Sequence, residues 1–370
     1  MKKLLALVLA LVMVLGLSVT ANATDFADDD KIDHEEAVSV MNALNIIGGK
    51  GNNMFDPDGN VKRAEMAKMV TIALLGNVDV SAFTGTKTDL TDIDGHWAEG
   101  YIKYCYSQGI IGGRGNGLFD PEANVTTAEA SKMLLVALGY NANVRKYVGD
   151  GWTINVARDA QQRGLYDEIA NLASGKAMDR DDAAQLIYNP LTAVRVIERQ
   201  SVNTETGAIT LSYVDATEVA AEANTMLAKS FNAYEYIGIM AAVPTFNTTT
   251  KEFSYSPSAA NWKIKDGSTT FPTQAPNNHT FVTKDNYADL RGEEVDVTFV
   301  IKNGDVTVLN IAATGKTPAL VAEKSQISTV ASDAAKIKYN STEYSISNTG
   351  STLGGTNTVA VTQAKPPDLR

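Results

Sequence analysis

The sequence has few of the residue types that cross-link small proteins or bind metals in them. It contains one cysteine, Cys105, and three histidines in 370 residues. A single cysteine excludes an intramolecular disulfide framework. The histidines, His34, His96 and His279, are too scattered to give the ligand spacing of a zinc site. Cys105 lies among apolar residues at helical spacing, so we expect it to be a buried free thiol.

Basic residues are in deficit as well. The chain carries 32 basic and 43 acidic residues, a net charge of −11 at pH 7. Without Lys2 and Lys3, which stand at the extreme N-terminus, 30 basic residues face 43 acidic ones, a net charge of −13. A field of this sign repels phosphate backbones and anionic lipids. It excludes nucleic acid and anionic membrane surfaces as bulk partners.

Long apolar runs are absent except at the N-terminus. There Lys2 and Lys3 precede an apolar stretch from Leu4 to Leu17, and Ala21–Ala23 fits a small-x-small cleavage site. A run of this length is short for a bilayer span, so it predicts a secretory signal peptide. We expect an exported chain that begins at Thr24, has no transmembrane segment after cleavage, and is long enough for two or three domains.

The most informative feature that is present is an internal repeat. Residues 26–76 and 90–140 match in register at an offset of 64 residues. A weaker third copy follows, in which Trp152 lies 55 residues after Trp97, and two residues are missing from its later loop. Tandem modules of this length bury their apolar faces against one another. We therefore count three modules.

Each copy reads as a helix, a glycine-rich loop and a second helix. In the second copy, Thr126 and Glu129 form a capping box, in which each side chain bonds the other residue's backbone amide. Asp179 and Asp182 occupy the same positions in the third copy. Lys62 breaks the box in the first copy, at an expected cost of about 1 kcal/mol. The pattern predicts an all-α region.

The composition changes after about residue 197, where Thr, Ser and Asn become frequent and apolar residues alternate with polar ones. Residues 208–214 and 294–301 are predicted strands. Residues 302–305 form a predicted hairpin turn that leads into a further strand at 306–311. A helix is expected over residues 217–231. The pattern favours a small β-sandwich or barrel.

No catalytic constellation stands out in the sequence. No nucleophile is paired with a base, and the glycine run at residues 112–115 precedes no strand–helix crossover of the kind that binds phosphate. Residues 92–95 resemble the start of a calcium loop, but Lys103 stands where that loop needs its final glutamate. We therefore expect no catalytic residue, no cofactor and no dedicated metal site, and leave adventitious surface calcium open.

The second copy carries a specific family resemblance. Its segments at residues 90–98, 109–113, 119–121 and 125–129 match, in order, the anchor motifs of the S-layer homology domain, which that segment therefore resembles. With the other two copies, the resemblance covers residues 26–196. It implies three modules in a pseudo-threefold helical bundle. It also implies that grooves between modules hold a secondary cell-wall polysaccharide, which in this family commonly carries pyruvate ketals.

The resemblance points first to arginines. The arginine of the family's Thr-Arg-Ala-Glu motif corresponds to Arg63 in the first copy and Arg180 in the third, while the second has Thr127. Each arginine stands where a helix begins. If the helix amides there point outward, they and the guanidinium suit a carboxylate. We therefore predict that Arg63 and Arg180 bind the polysaccharide.

The resemblance also points to tryptophans. The family's tryptophan corresponds to Trp97 and Trp152, while the first copy has Asp33. Either tryptophan can instead be a core residue, since each begins an apolar helical stripe. Lys50 and Arg114 lie between glycines in equivalent loops and add charge where the backbone allows close approach. These four residues complete the predicted site, in which Arg63 can share a groove with a neighbouring copy's tryptophan.

The chain is thus predicted to be a multidomain protein, an all-α pseudo-threefold bundle followed by a β-rich region. The predicted boundaries are a signal peptide at 1–23 and modules at 24–80, 88–142 and 146–196, the last of them degenerate. A β-rich region follows at 197–370, and we leave open whether it is truncated. The predicted function is non-enzymatic, non-covalent anchoring to the cell wall, with self-association of the β-rich region in a surface layer. The alternatives are the anchor of a longer surface enzyme with its catalytic domain beyond residue 370, and an adhesin.

Overall fold

The computed structural model describes the helical part of the chain almost without gaps and the remainder in shorter segments. The described residues are 26–170, 172–218, 224–240, 245–250, 252–255, 263–264, 281–283, 287, 290, 293–302, 305–315, 320–323, 327–330, 333–339, 342–345 and 358–361. The predicted signal peptide and Thr24 lie outside them. Within them, no helix has both the length and the apolar character needed to cross a membrane.

The chain divides into two compact units. The helical unit takes in the described residues up to Tyr234, and the β unit takes in the described residues after it. The helices described in the helical unit are α1 (Glu35–Ala43), α2 (Arg63–Leu75), α3 (Glu99–Ser107), α4 (Thr127–Leu138), α5 (Trp152–Gln162), α6 (Arg180–Thr192) and α7 (Met226–Phe231). The first six form three successive pairs, one pair for each repeat.

The second helix of each pair begins at the predicted position. In α4, Thr126 Oγ1 accepts a hydrogen bond from the Glu129 amide, and Glu129 Oε2 accepts one from the Thr126 amide, 3.0 Å away. In α6, Asp179 Oδ1 accepts from the Asp182 amide. In α2 only the return half of the box exists, because a lysine side chain cannot accept a hydrogen bond. The Lys62 amide donates to Glu65, the first-copy equivalent of Glu129. The capping prediction is confirmed.

The three helix pairs close into a ring through their loops. Short β-bridges join Lys62 to Asn124, Thr126 to Ala177 and Asn60 to Asp179, so each repeat is tied to the other two. The Arg63 amide donates to Ala123 O at 2.9 Å, and the Arg180 amide to Pro57 O at 3.0 Å. The expectation that these amides point outward to a ligand is therefore wrong. The loop of a neighbouring repeat has already satisfied them.

An aspartate fixes the glycine-rich loop in each of the first two repeats. Asp28 accepts hydrogen bonds from the amides of Phe55 and Asp56, and Asp92 accepts the equivalent pair from Phe119 and Asp120, at 2.7–2.9 Å. Burial alone raises the pKa of these carboxyls, but the backbone hydrogen bonds outweigh it and hold both below the ordinary value. The Asp92 carboxylate therefore holds the start of the Phe119–Asp120 turn in place.

The core of the bundle includes the predicted buried thiol. Cys105 is fully buried, and its Sγ lies 3.3 Å from Thr71 Oγ1. Burial raises the pKa of the thiol to about 12. Because the thiolate is the reactive form, Cys105 is a structural residue, as predicted. Trp97 behaves differently, since it precedes α3 and is 56% exposed, outside the apolar stripe that holds Ile102 and Cys105.

The helical unit extends past residue 196, where the composition changes. Strands β1 (Val196–Val202) and β2 (Ile209–Asp215) form an antiparallel hairpin, as the alternation around residues 208–214 predicts. The hairpin is tied back to the repeats at its base, where Arg163 Nη1 donates to Asp215 Oδ1 and the Asn141 amide donates to the Tyr213 hydroxyl. The change of composition near residue 197 therefore marks the start of strands. It does not mark the end of the helical unit, which is set by packing contacts and lies at Tyr234.

The helix predicted over residues 217–231 is shorter in the structure. Among the described residues of that range, the α-helix covers Met226–Phe231, and Thr225 caps it by accepting a hydrogen bond from the Ala228 amide. Residues 216–218 form a single 3₁₀ turn, and residues 219–223 lie outside the described part of the chain. Helix α7 packs on α2 and α6, where Ser230 Oγ donates to Leu74 O. The helical part of the predicted range is therefore a six-residue helix that packs against the first and third repeats.

The β unit contains several small sheets, and the strand pairs whose register is described in them are antiparallel. The described strands are β3 (Ala233–Ile239), β4 (Thr245–Asn247), β5 (Glu252–Tyr255), β6 (Lys263–Ile264), β7 (Phe281–Thr283), β8 (Glu294–Lys302), β9 (Asp305–Ala313), β10 (Leu320–Glu323), β11 (Ile327–Val330), β12 (Asp333–Tyr339), β13 (Thr342–Ser345) and β14 (Thr358–Val361). Their orders are β6-β3-β8-β9, β4-β5-β7, β11-β12-β13 and β10-β14.

The longest ladder is the predicted hairpin. Strands β8 and β9 pair from Val295 with Ala313 to Lys302 with Asp305, with one irregularity after Thr298. Both predicted strands are confirmed. The rings of Tyr236, Phe281 and Phe299 form a buried aromatic cluster beside it, with centroids 4.7–6.2 Å apart. A sandwich or barrel remains a prediction, since the described strands fall into separate small sheets.

Candidate functional site

A cavity of about 340 Å³ opens where the three repeats meet on one side of the helical unit. Each helix pair contributes to its wall. Its lining residues are Arg63, Ile110, Ile111, Gly112, Gly113, Arg114, Glu129, Lys132, Met133, Tyr147, Val148, Gly149 and Trp152. We call it the repeat cavity. Arg63 comes from the first repeat, residues 110–133 from the second, and Trp152 from the third.

Arg63 forms the innermost part of the cavity wall. As the first residue of α2, it is 5% exposed. Its Nε donates to Phe119 O and its Nη1 to Glu129 Oε1, both at 2.8 Å, while the guanidinium lies 4.4 Å from the centroid of the Phe119 ring. Burial lowers the pKa of Arg63, and the carboxylate of Glu129 opposes that shift. The ordinary pKa of arginine is so high that the side chain stays a cation.

Glu129 is the only carboxylate in the lining, and it is fully engaged. Besides Arg63, it accepts from Arg114 Nη2 at 3.0 Å and from the Thr126 amide that starts α4. Burial alone raises its pKa, but the Thr126 amide and the two arginines outweigh burial and lower it. Glu129 is therefore an ionised cap and counter-ion rather than a general acid.

Lys132 and Trp152 form the outer part of the wall. Lys132 Nζ lies 5.6 Å from the centroid of the Trp152 ring, within cation–π range. Burial, and then the charge of Arg63, lower the pKa of Lys132, while Glu129 opposes them. Tyr147, which is fully buried, closes the wall on this side and donates its hydroxyl proton to Asp159, 2.7 Å away.

The structure brings together three of the six predicted site residues. Arg63, Arg114 and Trp152 line the repeat cavity, whereas Lys50, Trp97 and Arg180 do not. Arg63 thus lines the same cavity as Trp152, a tryptophan of another repeat, which is the sharing expected from the sequence. Whether any of the six contacts a ligand stays a prediction.

Two of the other predicted residues, Arg180 and Lys50, lie in an equivalent arrangement of another pair of repeats. Arg180 Nε donates to Phe55 O at 2.8 Å, its Nη2 donates to Gly48 O at 2.6 Å, and its guanidinium lies 4.7 Å from the centroid of the Phe55 ring. Lys50 Nζ forms an ion pair with Glu65 at 3.1 Å, as Arg114 does with Glu129. The guanidinium of Arg180 is thus held by backbone carbonyls rather than by a carboxylate.

Two cavity residues were not predicted from the sequence. Lys132 follows Glu129 by three residues, just as Lys68 follows Glu65, so the repeat alignment contained a signal for it. Tyr147 had no such signal, since it lies in the connection before α5, outside the aligned motifs. The cavity wall therefore holds three cations, Arg63, Arg114 and Lys132, against one carboxylate. Together with an indole face, this excess of positive charge suits an anionic ligand that has an apolar or ring-shaped part.

Comparison with known proteins agrees with the repeat. The model of the S-layer homology domain family matches residues 25–67 and 89–131. A cell surface protein of Thermoanaerobacter kivui is 32% identical over 229 residues, which cover 60% of this chain and 27% of that protein. A surface layer protein of Brevibacillus choshinensis is 30% identical over 175 residues, covering 44% of this chain and 16% of that protein.

A third relative has a name that describes a role. A cellulosome-anchoring protein of Acetivibrio thermocellus is 34% identical over 100 residues, which cover 26% of this chain and 22% of that protein. The chain thus spans about a quarter or less of the length of each of these relatives. Residues 25–67 and 89–131 belong to the S-layer homology domain family, and the chain is a secreted, cell-wall-associated protein that carries these domains.

Proposed function

We propose that the helical unit anchors the chain non-covalently to the cell wall by binding an acidic secondary cell-wall polysaccharide in the repeat cavity. The observation that carries the proposal is the wall of that cavity. It places three cations and an indole ring around about 340 Å³, with a single carboxylate that is already paired. The family membership and the relatives' names support a role at the cell wall.

The lining assigns a part of the ligand to each side chain. Arg63 uses Nε and Nη1 on protein partners, which leaves Nη2 as its donor toward the cavity. Together with Lys132 it would hold a carboxylate, such as that of a pyruvate ketal, by charge-assisted hydrogen bonds. The Trp152 ring would stack against the C–H face of a sugar. The site thus suits a polysaccharide that carries a carboxylate beside a pyranose ring.

Local charge reconciles this ligand with an acidic protein. The net charge of −11 repels an anionic polymer at long range, but salt screens that field over roughly 8–10 Å. Inside the cavity the cations lie within hydrogen-bonding distance of a bound carboxylate, and burial reduces their screening. Binding is therefore governed by contacts within the cavity. It should weaken less on addition of salt than a surface ion pair would.

We also propose that residues 146–196 are a third, degenerate S-layer homology module. Helices α5 and α6 repeat the helix pair of the first two copies, and the β-bridges Thr126–Ala177 and Asn60–Asp179 tie them into the ring. This module supplies Trp152 to the repeat cavity. Removal of that indole therefore tests the third module and the site together.

The anchoring proposal predicts polysaccharide-dependent retention on cell walls. The mature chain, from Thr24 to Arg370, is incubated with purified walls before and after the secondary polysaccharide is removed by mild acid, and the bound fraction is measured after centrifugation. We expect retention on intact walls and loss of most of it on stripped peptidoglycan, because the cavity suits a saccharide anion. Equal retention on both would contradict the proposal.

For the β unit we propose a part in a surface layer formed with identical copies. The open antiparallel sheets among its described strands leave edges that can pair with a neighbour. Electron microscopy of the mature chain on wall fragments should then show a regular array. A disordered coat would favour the alternatives. Of these, the anchor of a longer protein draws support from the cellulosome-anchoring relative, of which the chain covers only 22%.

A further inference from the structure

A second cavity lies between the third repeat and the β1–β2 hairpin, and it shares no lining residue with the repeat cavity. Its volume is about 510 Å³. The polar and aromatic residues that line it are Tyr140, Arg145, Gln162, Arg163, Ser212 and Tyr213. No carboxylate belongs to the lining. We call it the hairpin cavity, because β2 forms one of its walls.

Two tyrosine rings and two guanidinium groups form its inner wall. The rings of Tyr140 and Tyr213 lie 4.9 Å apart, centroid to centroid. The guanidinium carbons of Arg145 and Arg163 lie 5.4 and 5.7 Å from the Tyr140 centroid, and that of Arg145 lies 5.9 Å from the Tyr213 centroid. The two positive charges are therefore both held beside the same aromatic surface.

Protein acceptors bind part of each guanidinium group and leave its other N–H donors for the cavity. Arg145 uses Nε and Nη2 on Asp159, which is 1% exposed. Arg163 uses Nε on the Tyr140 hydroxyl and Nη1 on Asp215. Within the described contacts, Nη1 of Arg145 and Nη2 of Arg163 remain without a protein acceptor. Each guanidinium therefore keeps one amino group, with two N–H bonds, for a ligand.

We propose that the hairpin cavity is a second saccharide site, specific for a sugar that carries a carboxylate, such as a uronic acid. The free amino groups of Arg145 and Arg163 bind the carboxylate, because a guanidinium makes short, charge-assisted hydrogen bonds to that group. The tyrosine rings offer faces for the C–H side of the sugar. Exposed Gln162 supplies hydrogen bonds to its hydroxyls, since its side-chain amide both donates and accepts.

The size of the cavity and its position support this assignment. A volume of about 510 Å³ lies within the range of roughly 300–1,000 Å³ that is typical of small-ligand sites. The opening faces solvent between a helix and a hairpin, so a chain of sugars can continue beyond the bound residue. A phosphate would use the arginines alone and leave the tyrosine faces without a partner. A sugar acid uses both.

The test uses the mature chain with Trp152→Ala, which removes the indole of the repeat cavity, so that the two sites are separated. Isothermal titration with trigalacturonic acid should show binding, and uncharged maltotriose should bind at least tenfold more weakly. Arg163→Met should lower the affinity for trigalacturonic acid at least tenfold, since the free amino group is lost while most of the side-chain volume stays. Glycerol 1-phosphate serves as the phosphate probe.

A second variant fills the hairpin cavity and leaves both arginines in place. With its control, it distinguishes a loss of ligand binding from a folding defect. Leu211→Trp adds an indole on the face of β2 that carries Tyr213 and should fill the cavity, whereas Ile209→Trp, on the same strand and face but outside the lining, is its matched control. We expect the first to abolish binding of trigalacturonic acid and the second to leave it unchanged. Undiminished binding in both Arg163→Met and Leu211→Trp would overturn the proposal. So would tighter binding of glycerol 1-phosphate than of trigalacturonic acid.

Discussion

Replacing Trp152 by alanine together with Lys132 by methionine is expected to reduce the affinity of the mature chain for intact cell walls by roughly two and a half to three and a half orders of magnitude. Trp152 offers the ring face and Lys132 a half-buried positive charge in the same cavity. Removing a stacked aromatic anchor costs about 2 kcal/mol, and removing a charge-assisted hydrogen bond about 1.5–3 kcal/mol. Each is worth one to two decades of affinity. The dissociation constant on purified walls is the measurement.

The repeat supplies the matched control. Trp97 and Lys68 occupy the same positions in other copies, and neither lines the repeat cavity. Trp97→Ala with Lys68→Met should therefore leave wall affinity within about threefold of the wild type. Wild-type affinity in the Trp152 and Lys132 variant would refute the repeat cavity as the anchor site. A comparable loss in both double variants would show that the arrangement around Arg180 binds polysaccharide as well.

The structure makes Arg63 and Arg180 poor residues for a clean test of binding. From the sequence, alanine at both positions is expected to abolish wall binding without any change in helix content. Both guanidiniums, however, lie over phenylalanine rings, and both donate to backbone carbonyls of another repeat's loop. Alanine would leave those buried carbonyls without donors, at a cost of about 1–3 kcal/mol each. A loss of binding would then be confounded with a loss of stability.

The helical part of the fold could be predicted from the sequence because local signals agreed. The capping pairs Thr126–Glu129 and Asp179–Asp182 lie within one helical turn, so the residues that start each helix are adjacent in sequence. The end of the helical unit could not be predicted in this way. It depends on contacts such as Arg163–Asp215 and Tyr140–Tyr213, which join residues more than fifty positions apart.

Three of the six predicted site residues line the repeat cavity, and the other three do not, because a sequence repeat does not show which copies face each other. A repeat alignment shows which residues are equivalent, so it yields Arg63, Arg114 and Trp152, and equally Arg180, Lys50 and Trp97. It does not show which copies face one another across a cavity, because that depends on the order in which the loops close the ring. Tyr147 and Arg145 stand outside the repeated motifs. Both side chains are positioned by hydrogen bonds to Asp159, a buried residue on α5.

Replacing Asp159 by alanine is expected to destabilise the helical unit by about 3 kcal/mol. Asp159 is 1% exposed and accepts hydrogen bonds from Arg145, Arg158 and the buried hydroxyl of Tyr147. The variant would leave two arginines facing each other without their counter-ion, and the Tyr147 hydroxyl without its acceptor. For a unit of this size the loss corresponds to a fall in Tm of roughly 6–12 °C. Thermal unfolding followed by circular dichroism at 222 nm reports on the helices.

Asp94→Ala is the matched control, because the Asp94 side chain is 81% exposed and its nearest cation, Lys103, is 3.9 Å away. It should change stability by no more than about 0.5 kcal/mol.

The pH dependence of stability distinguishes the contribution of the ion pairs of Asp159 from that of packing. Burial alone raises the pKa of Asp159, but hydrogen bonds from Arg145, Arg158 and Tyr147 outweigh burial and lower it in the folded state. Its stabilisation is therefore complete above the unfolded-state pKa of about 3.9 and is lost as pH falls through the lower folded-state value. The stability gap between wild type and Asp159→Asn should accordingly narrow below about pH 4. A gap that stays constant down to pH 2 would mean that shape rather than charge holds Tyr147 and Arg145, and with them one wall of each cavity.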